Sequence, residues 1–483
     1  MRPRMRYPLA LLLSLAAPAL AGQALKRDVP PAPGPAPAIH LPSWTRTRLA
    51  NGAELVVTQK RDLPLVAFSL NFVGGAYNYE PADKLGTAQF TAQMLSEGTT
   101  SKTADQLSEA QQLLGTSIFA AVGGEAGSIG FTALRDKFEP ALALLADMLL
   151  HPAFPAAALE RIRGRTLVQL QQSRDQPNTI AANVFARTLY GEQHPYGRVI
   201  TEATVRAITR DDIVAFHSSY FQPGRAVITV TGDVDPAAAK AAVERALDAW
   251  TGSGARPSWQ YPAPPAAHTI TIYLVDKPKA AQSVFAIGLP GPPRDTPDYY
   301  AIQVMNNLLG GLFQSRLNHN IREVKGYSYG VSSSFAFGRG PGAVRAGGGI
   351  VTAKTDSALI EFMKEFRGVL GEAPFSDDEI TQSKENLIQS LPRRFSSVNG
   401  IGAAVATIYT QDLPESFYRE YPAKINAITR DDLLLVAKRY LDLDHLNIVI
   451  VGDRAAIAGP LAATKVAPLV FLDVEGKPAG PVP

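Results

Sequence analysis

Hydrophobic and polar positions change period along the chain. Thr45–Leu49 and Glu54–Val57 are short strand-like runs, joined through Ala50-Asn51-Gly52-Ala53. The Asn-Gly pair predicts a hairpin. Leu65–Val73 predicts a further strand. Apolar residues then recur at helical spacing over Leu85–Glu97, Leu107–Leu114 and Lys137–Leu150. Ala156–Ser173 predicts a long amphipathic helix with Glu160, Arg161 and Arg163 on one side. Further on, Thr269–Leu274 and Ser283–Leu289 predict strands and Asp298–Leu309 a helix. Ser328–Phe337 and Val344–Val351 predict a strand pair. Strands and helices in runs, without strict βαβ alternation, imply an α+β fold with mainly antiparallel sheets.

The pattern occurs twice. Ile208-Thr209-Arg210-Asp211-Asp212 returns as Ile428-Thr429-Arg430-Asp431-Asp432. Tyr220 returns as Tyr440, and the strand end Thr231-Gly232-Asp233 as Val451-Gly452-Asp453. All three pairs are 220 residues apart (428 − 208). A period this long indicates duplicated domains rather than a solenoid. The expected organisation is a signal peptide over 1–21 and a Pro/Ala-rich linker over 22–42. A first domain follows over 43–250, a Pro/Gly-rich linker over 251–267, a second domain over 268–466 and a tail over 467–483.

Composition narrows the chemistry. The chain of 483 residues has no cysteine, which removes disulfides, thiolate metal sites and a Cys nucleophile. It has only seven histidines, and the nearest two, His194 and His217, are 23 residues apart. No pair of His ligands one helical turn apart exists. Arg2, Arg4 and Arg6, the apolar run Leu9–Ala17 and Ala19-Leu20-Ala21 have the layout of a cleavable secretory signal. Cleavage is expected after Ala21, giving an exported protein, periplasmic in a Gram-negative source. The formal charge of +3 comes from those three arginines: 47 − 3 leaves 44 basic residues against 44 acidic ones. No basic run points to nucleic acid, and no later stretch is long and apolar enough to span a membrane.

Gly86-Thr87-Ala88-Gln89-Phe90-Thr91-Ala92-Gln93-Met94-Leu95-Ser96-Glu97-Gly98-Thr99 resembles the active-site helix of the M16 zinc peptidases, relatives of insulinase and the mitochondrial processing peptidase. Phe72-Val73-Gly74-Gly75-Ala76, His194-Pro195-Tyr196-Gly197 and the stretch from Leu309-Gly310-Gly311 to Tyr329 resemble other segments of that family. The resemblance covers about residues 45–465 and implies two duplicated M16-type domains. It also implies a zinc site of two His four apart, a Glu just before the second, and a Glu some 76 residues on. In this chain those positions are Gln89, Gln93, Ala92 and, on or next to it, Gln169. Gln is a weak zinc ligand and Ala92 cannot accept a proton, so no metal is expected here.

Family members also place an Arg and a Tyr, seven apart in the second domain, against the substrate. They match Arg322 and Tyr329, a guanidinium and a phenol suited to an oxyanion. Some members work as pairs in which one subunit holds the zinc helix and the other lacks it but helps enclose and bind the peptide, and in some bacterial pairs the Arg and Tyr come from the metal-free chain. The resemblance therefore implies a non-catalytic subunit with a zinc-bearing partner, an unfolded peptide as substrate, and Arg322 and Tyr329 acting in trans. The alternatives are a secreted peptide-binding or scaffold protein, and an active peptidase with a rearranged metal site. Gly310-Gly311, Gly338–Gly342 and Gly347–Gly349 are candidates for flexible cavity loops or for ordinary hairpin turns. Gly326-Tyr327-Ser328-Tyr329-Gly330 fits a nucleophile elbow only by spelling, since a helical segment precedes it and a strand follows. His194 and His217 are expected to be structural.

Overall fold

A computed structural model describes residues 41–252, 256 and 258–480. The signal peptide over 1–21 and residues 22–40 of the first linker lie outside the described residues. Twelve strands form two six-stranded sheets. The first contains β1 (Trp44–Arg48), β2 (Glu54–Gln59), β3 (Leu65–Val73), β4 (Phe119–Val122), β5 (Ala126–Leu134) and β6 (Ala226–Gly232). Their order is β1-β2-β6-β3-β5-β4. The second contains β7 (Thr271–Asp276), β8 (Gln282–Pro290), β9 (Ser328–Phe335), β10 (Ala343–Val351), β11 (Asn447–Gly452) and β12 (Leu469–Leu472), in the order β12-β7-β11-β8-β10-β9. Both sheets are mainly antiparallel, with helices packed on them, as an α+β duplication requires. The repeat holds at the level of single pairs. Phe68 lies opposite Val230 in the first sheet, and Phe285 opposite Ile450 in the second.

The duplicated Ile-Thr-Arg-Asp-Asp segments start two equivalent helices, Arg210–Tyr220 and Arg430–Tyr440. In each, the preceding Thr (Thr209 or Thr429) accepts from the backbone N–H of the Asp three residues on. That Asp (Asp212 or Asp432) in turn accepts the N–H of the Thr. Two otherwise unsatisfied donors are thereby paired at each helix start.

The two halves exchange a helix. Pro177–Tyr190, from the first half, packs on β8 and β11 of the second sheet. Its Ile180, Val184 and Phe185 are buried with Val284, Ala286, Val449 and Val451. Val398–Thr410, from the second half, packs on β3 and β6 of the first sheet. The exchange has two textures. Phe185 fills its side so closely that a Cβ on Gly288 would meet the ring at 2.9 Å. Gly402 and Ala403 leave an open cavity of about 780 Å³ over the first sheet.

Two expectations need correction. Residues 467–483 are not only a tail. Leu469–Leu472 pairs in parallel with β7, and Leu472 is buried. An apolar run of four followed by Gly476 and Pro478 carries too little pattern to distinguish a strand from a tail. The glycine-rich stretches are not flexible cavity loops either. Gly347–Gly349 lie within β10, Gly310 and Gly311 close a helical turn, and Gly338–Gly342 form the β9–β10 turn. That turn is fixed against the first half. Glu125, in the β4–β5 turn, accepts the Arg339 N–H at 3.0 Å and the Tyr196 hydroxyl. The Tyr190 hydroxyl donates to the Pro341 carbonyl at 3.0 Å. A Cβ on Gly340 would lie 2.5 Å from the Tyr196 hydroxyl oxygen, so only glycine fits there.

Candidate functional site

The helix Thr87–Met94 begins at Gly86, whose φ of +105° is left-handed and suits glycine. The Glu80 carboxylate accepts the Gly86 and Ala88 N–H groups at 3.1 and 2.6 Å, where a helix start favours negative charge. Burial pushes the Glu80 carboxyl above its usual range, and those two bonds oppose the push. Ala88, Phe90, Thr91, Ala92 and Met94 face the core. The helix therefore presents Gln89 to solvent and leaves Gln93 half-buried. Ala92, where the resemblance puts a general base, is a methyl group in the core.

The helix Ala156–Ser173 lies alongside. Gln169 is exposed on it. One turn earlier, Arg165 donates to the Gln93 side-chain oxygen at 2.7 Å. One turn earlier again, Arg161 bonds to Glu97. Two contacts one turn apart thus join the segments: Glu97 with Arg161, and Gln93 with Arg165. A guanidinium bonds to the side chain at the position of the family's second His. Sequence reasoning missed Arg165. Its spacing of four from Gln169 was the available signal, because residues four apart share a helix face.

This donor set does not fit zinc. It offers neutral amide oxygens, a methyl group and a fixed cation where the ion needs imidazoles and a carboxylate. Among the described residues no three His, Asp or Glu side chains converge to hold a metal ion. No chemical step through a metal follows for this chain.

Beside the helix is a cavity of about 270 Å³, lined by Glu80, Gln89, Val122 and Arg198 among others. Val122 ends β4, which pairs only with β5 among the described residues and is one of the two edges of the first sheet, β1 being the other. An unpaired edge can accept an extended peptide as an added strand.

Arg322 and Tyr329 lie elsewhere, at the β9 edge of the second sheet. The Arg322 guanidinium stands 4.2 Å over the Phe313 ring, with Glu323 at 3.4 Å. Tyr329 is 88% exposed and its phenol has no protein partner among the described residues. No hydrogen bond or ion pair joins either to Gln89, Gln93, Arg165 or Gln169, and neither lines the cavity beside the metal helix.

The remaining candidates are engaged in structure. Ser328 donates to the Gly349 carbonyl at 2.6 Å and accepts the Gly330 N–H at 2.9 Å, so its hydroxyl is bound to backbone. His194 accepts the Tyr196 N–H at Nδ1, and its Nε2 lies 2.9 Å from the Pro262 carbonyl. His217 holds the Leu149 carbonyl at 2.8 Å. Burial lowers the pKa of both imidazoles, so both are neutral donors at pH 7.

Family models place the chain among known proteins. Residues 55–201 match "Insulinase (Peptidase family M16)" and residues 207–387 match "Peptidase M16 inactive domain". The chain is 26% identical over 351 residues to the uncharacterized zinc protease YmxG of Bacillus subtilis, covering 72% of this chain and 84% of that one. It is 26% identical over 432 residues to an uncharacterized zinc protease of Mycobacterium leprae, covering 88% and 93%. Among solved structures it resembles a peptidase M16 inactive domain from Pseudomonas fluorescens. There the TM-score is 0.78 and identity 25%, over 85% of this chain and 98% of that one. A protease from Helicobacter pylori shares the fold at TM-score 0.76 and 17% identity, over 85% and 100%.

Proposed function

Because this chain belongs to the M16 peptidase family while its metal helix carries no metal-binding side chain, we propose that it is the non-catalytic subunit of a heterodimeric zinc peptidase. The carrying observation is the Arg165–Gln93 bond, which puts a fixed positive charge beside the position of a family zinc ligand. On this reading the chain binds no zinc, and a second M16 chain supplies the metal. The free β4 edge beside the degenerate helix supports peptide binding, since main-chain donors and acceptors there can pair with an extended segment. The exposed, unpartnered Tyr329 phenol and the nearby Arg322 suit a role in trans, reaching a substrate held in the partner's site. The N-terminal signal implies that the pair works outside the cytoplasm.

The test is zinc content and peptide cleavage by the purified chain, alone and mixed with a zinc-bearing M16 partner. Alone it should carry no stoichiometric zinc and cleave nothing. With the partner, cleavage should appear, and Arg322→Ala or Tyr329→Phe should lower kcat. Stoichiometric zinc with chelator-sensitive cleavage by this chain alone would overturn the proposal. Unchanged kcat in both variants would remove the role in trans.

A further inference from the structure

A third cavity, of about 890 Å³, opens where the segment between the halves meets the second half. Trp259, Tyr261, Tyr299, Tyr300 and Phe417 supply aromatic walls. Its charges are unequal. Arg256 and Arg339 share one carboxylate, Asp412, at 3.0 and 2.8 Å. Lys424 is paired with Glu420 at 2.9 Å. Arg294 differs from these three: among the described residues its guanidinium has neither a carboxylate nor a hydrogen-bond acceptor. It is held by packing instead, 3.6 Å over the Tyr299 ring and 5.1 Å from that of Phe417. Its backbone N–H is tied to the Gly338 carbonyl at 2.7 Å.

We propose that this cavity binds the last residue of an extended peptide, taking its free carboxylate on Arg294 and its aromatic or large apolar side chain against the aromatic walls. The planar guanidinium matches a carboxylate with two parallel N–H donors. Stacking fixes the fork before the ligand arrives, so little side-chain entropy is lost on binding. Arg256 and Arg339 have only Asp412 between them, so the four cations of the lining (Arg256, Arg294, Arg339 and Lys424) outnumber its two carboxylates, Asp295 and Asp412, and the cavity favours an anion. The aromatic surfaces favour a ring or a long aliphatic chain over a small terminal residue. This site lies outside the degenerate metal helix. Its occupancy does not depend on a zinc-bearing partner, and it is measured on this chain alone.

The test is titration calorimetry of the full mature chain with acetyl-Ala-Ala-Ala-Phe as the free acid, its C-terminal amide, and acetyl-Ala-Ala-Ala-Gly acid. Trp259 fluorescence provides a second signal. The Phe acid should bind at least tenfold more tightly than the amide and than the Gly acid. Arg294→Gln should reduce the acid to the affinity of the amide, and Arg294→Lys should retain part of the difference. The acid/amide comparison uses unaltered protein, so it stands even if a variant misfolds. Equal binding of acid and amide, no binding of either, or unchanged affinity in a folded Arg294→Gln would overturn the proposal. If 3-phenylpropionate binds as tightly as the peptide acid, the site takes a free aromatic acid, and its assignment to peptide ends fails.

Discussion

Arg165 donates to the side-chain oxygen of Gln93 across 2.7 Å, joining the two helices on which the family resemblance places the zinc-ligand positions. The residue types at the proposed ligand positions and the cation beside them have separate consequences. Restoring Gln89→His, Ala92→Glu, Gln93→His and Gln169→Glu rebuilds the donor set but leaves a guanidinium beside it. Like charges a few ångströms apart repel, with solvent screening part of the effect because Gln89, Arg165 and Gln169 are exposed. The fourfold variant is therefore expected to bind zinc at least tenfold more weakly than the same variant with Arg165→Leu. Competition against a chromophoric chelator measures this. Equal affinities would show that the Arg165 charge does not oppose the metal.

Glu125 joins the halves by accepting from the Tyr196 hydroxyl and the Arg339 N–H. Glu125→Ala leaves a phenol and a backbone donor without this acceptor. Lost bonds to a charged group cost about 1.5–3 kcal/mol, and the denaturant midpoint should fall accordingly. Gly340→Ala should be at least as damaging, because its Cβ would meet both the Tyr196 hydroxyl and the Tyr261 ring. A midpoint unchanged by both variants would mean that the two turns are not fastened by these contacts.

The exchanged helices should make the halves unfold together. Phe185 comes from the first half but is buried with Val284 and Ala286 of the second sheet. Phe185→Ala removes a buried ring and should cost about 3–5 kcal/mol. The loss should appear as one lowered transition in calorimetry. If part of the heat signal instead melts at the wild-type temperature, the halves are independent and the exchange does not couple them.

These features differ in how far the sequence discloses them. The duplication is legible because Thr209 with Asp212 and Thr429 with Asp432 form local caps, whose geometry depends on residues three apart. The side-chain types at Gln89, Ala92 and Gln93 are read directly from the sequence, and their chemistry does not suit zinc wherever the fold puts them. The exchange is not legible. The apolar face of Pro177–Tyr190 states that the helix is buried, not which sheet buries it. Arg165 and Arg294 escape for the same reason: one is defined by a neighbouring helix and the other by rings brought in from distant segments. Burial pattern is local information, whereas pairing between elements comes from the packed fold.

Groups with lowered pKa in two ranges, among them His217 and Glu379, give stability a stepped pH dependence. His217 is buried against the Leu149 carbonyl, and burial holds its pKa below the reference 6.5. The unfolded chain therefore takes up a proton first, so the stability His217 contributes is complete above about pH 6.5 and declines below it. Glu379 behaves in the same direction at lower pH. Arg316 grips its carboxylate at 2.7 and 2.8 Å and holds its pKa at about 2, against a reference of 4.5. Its contribution is complete above about pH 4.5 and disappears as pH falls toward 2. With about a third of the Glu379 side chain in solvent, that contribution is about 1–2 kcal/mol after screening. Thermal melts from pH 8 to 3 should show both declines. His217→Gln keeps a donor for the Leu149 carbonyl and should flatten only part of the decline just below pH 6.5, the remainder belonging to His194, whose pKa burial also lowers. Glu379→Gln should lower stability at pH 7 and flatten only the decline below pH 4.5. If each variant follows the wild-type curve in its own window, these two groups do not govern the acid response.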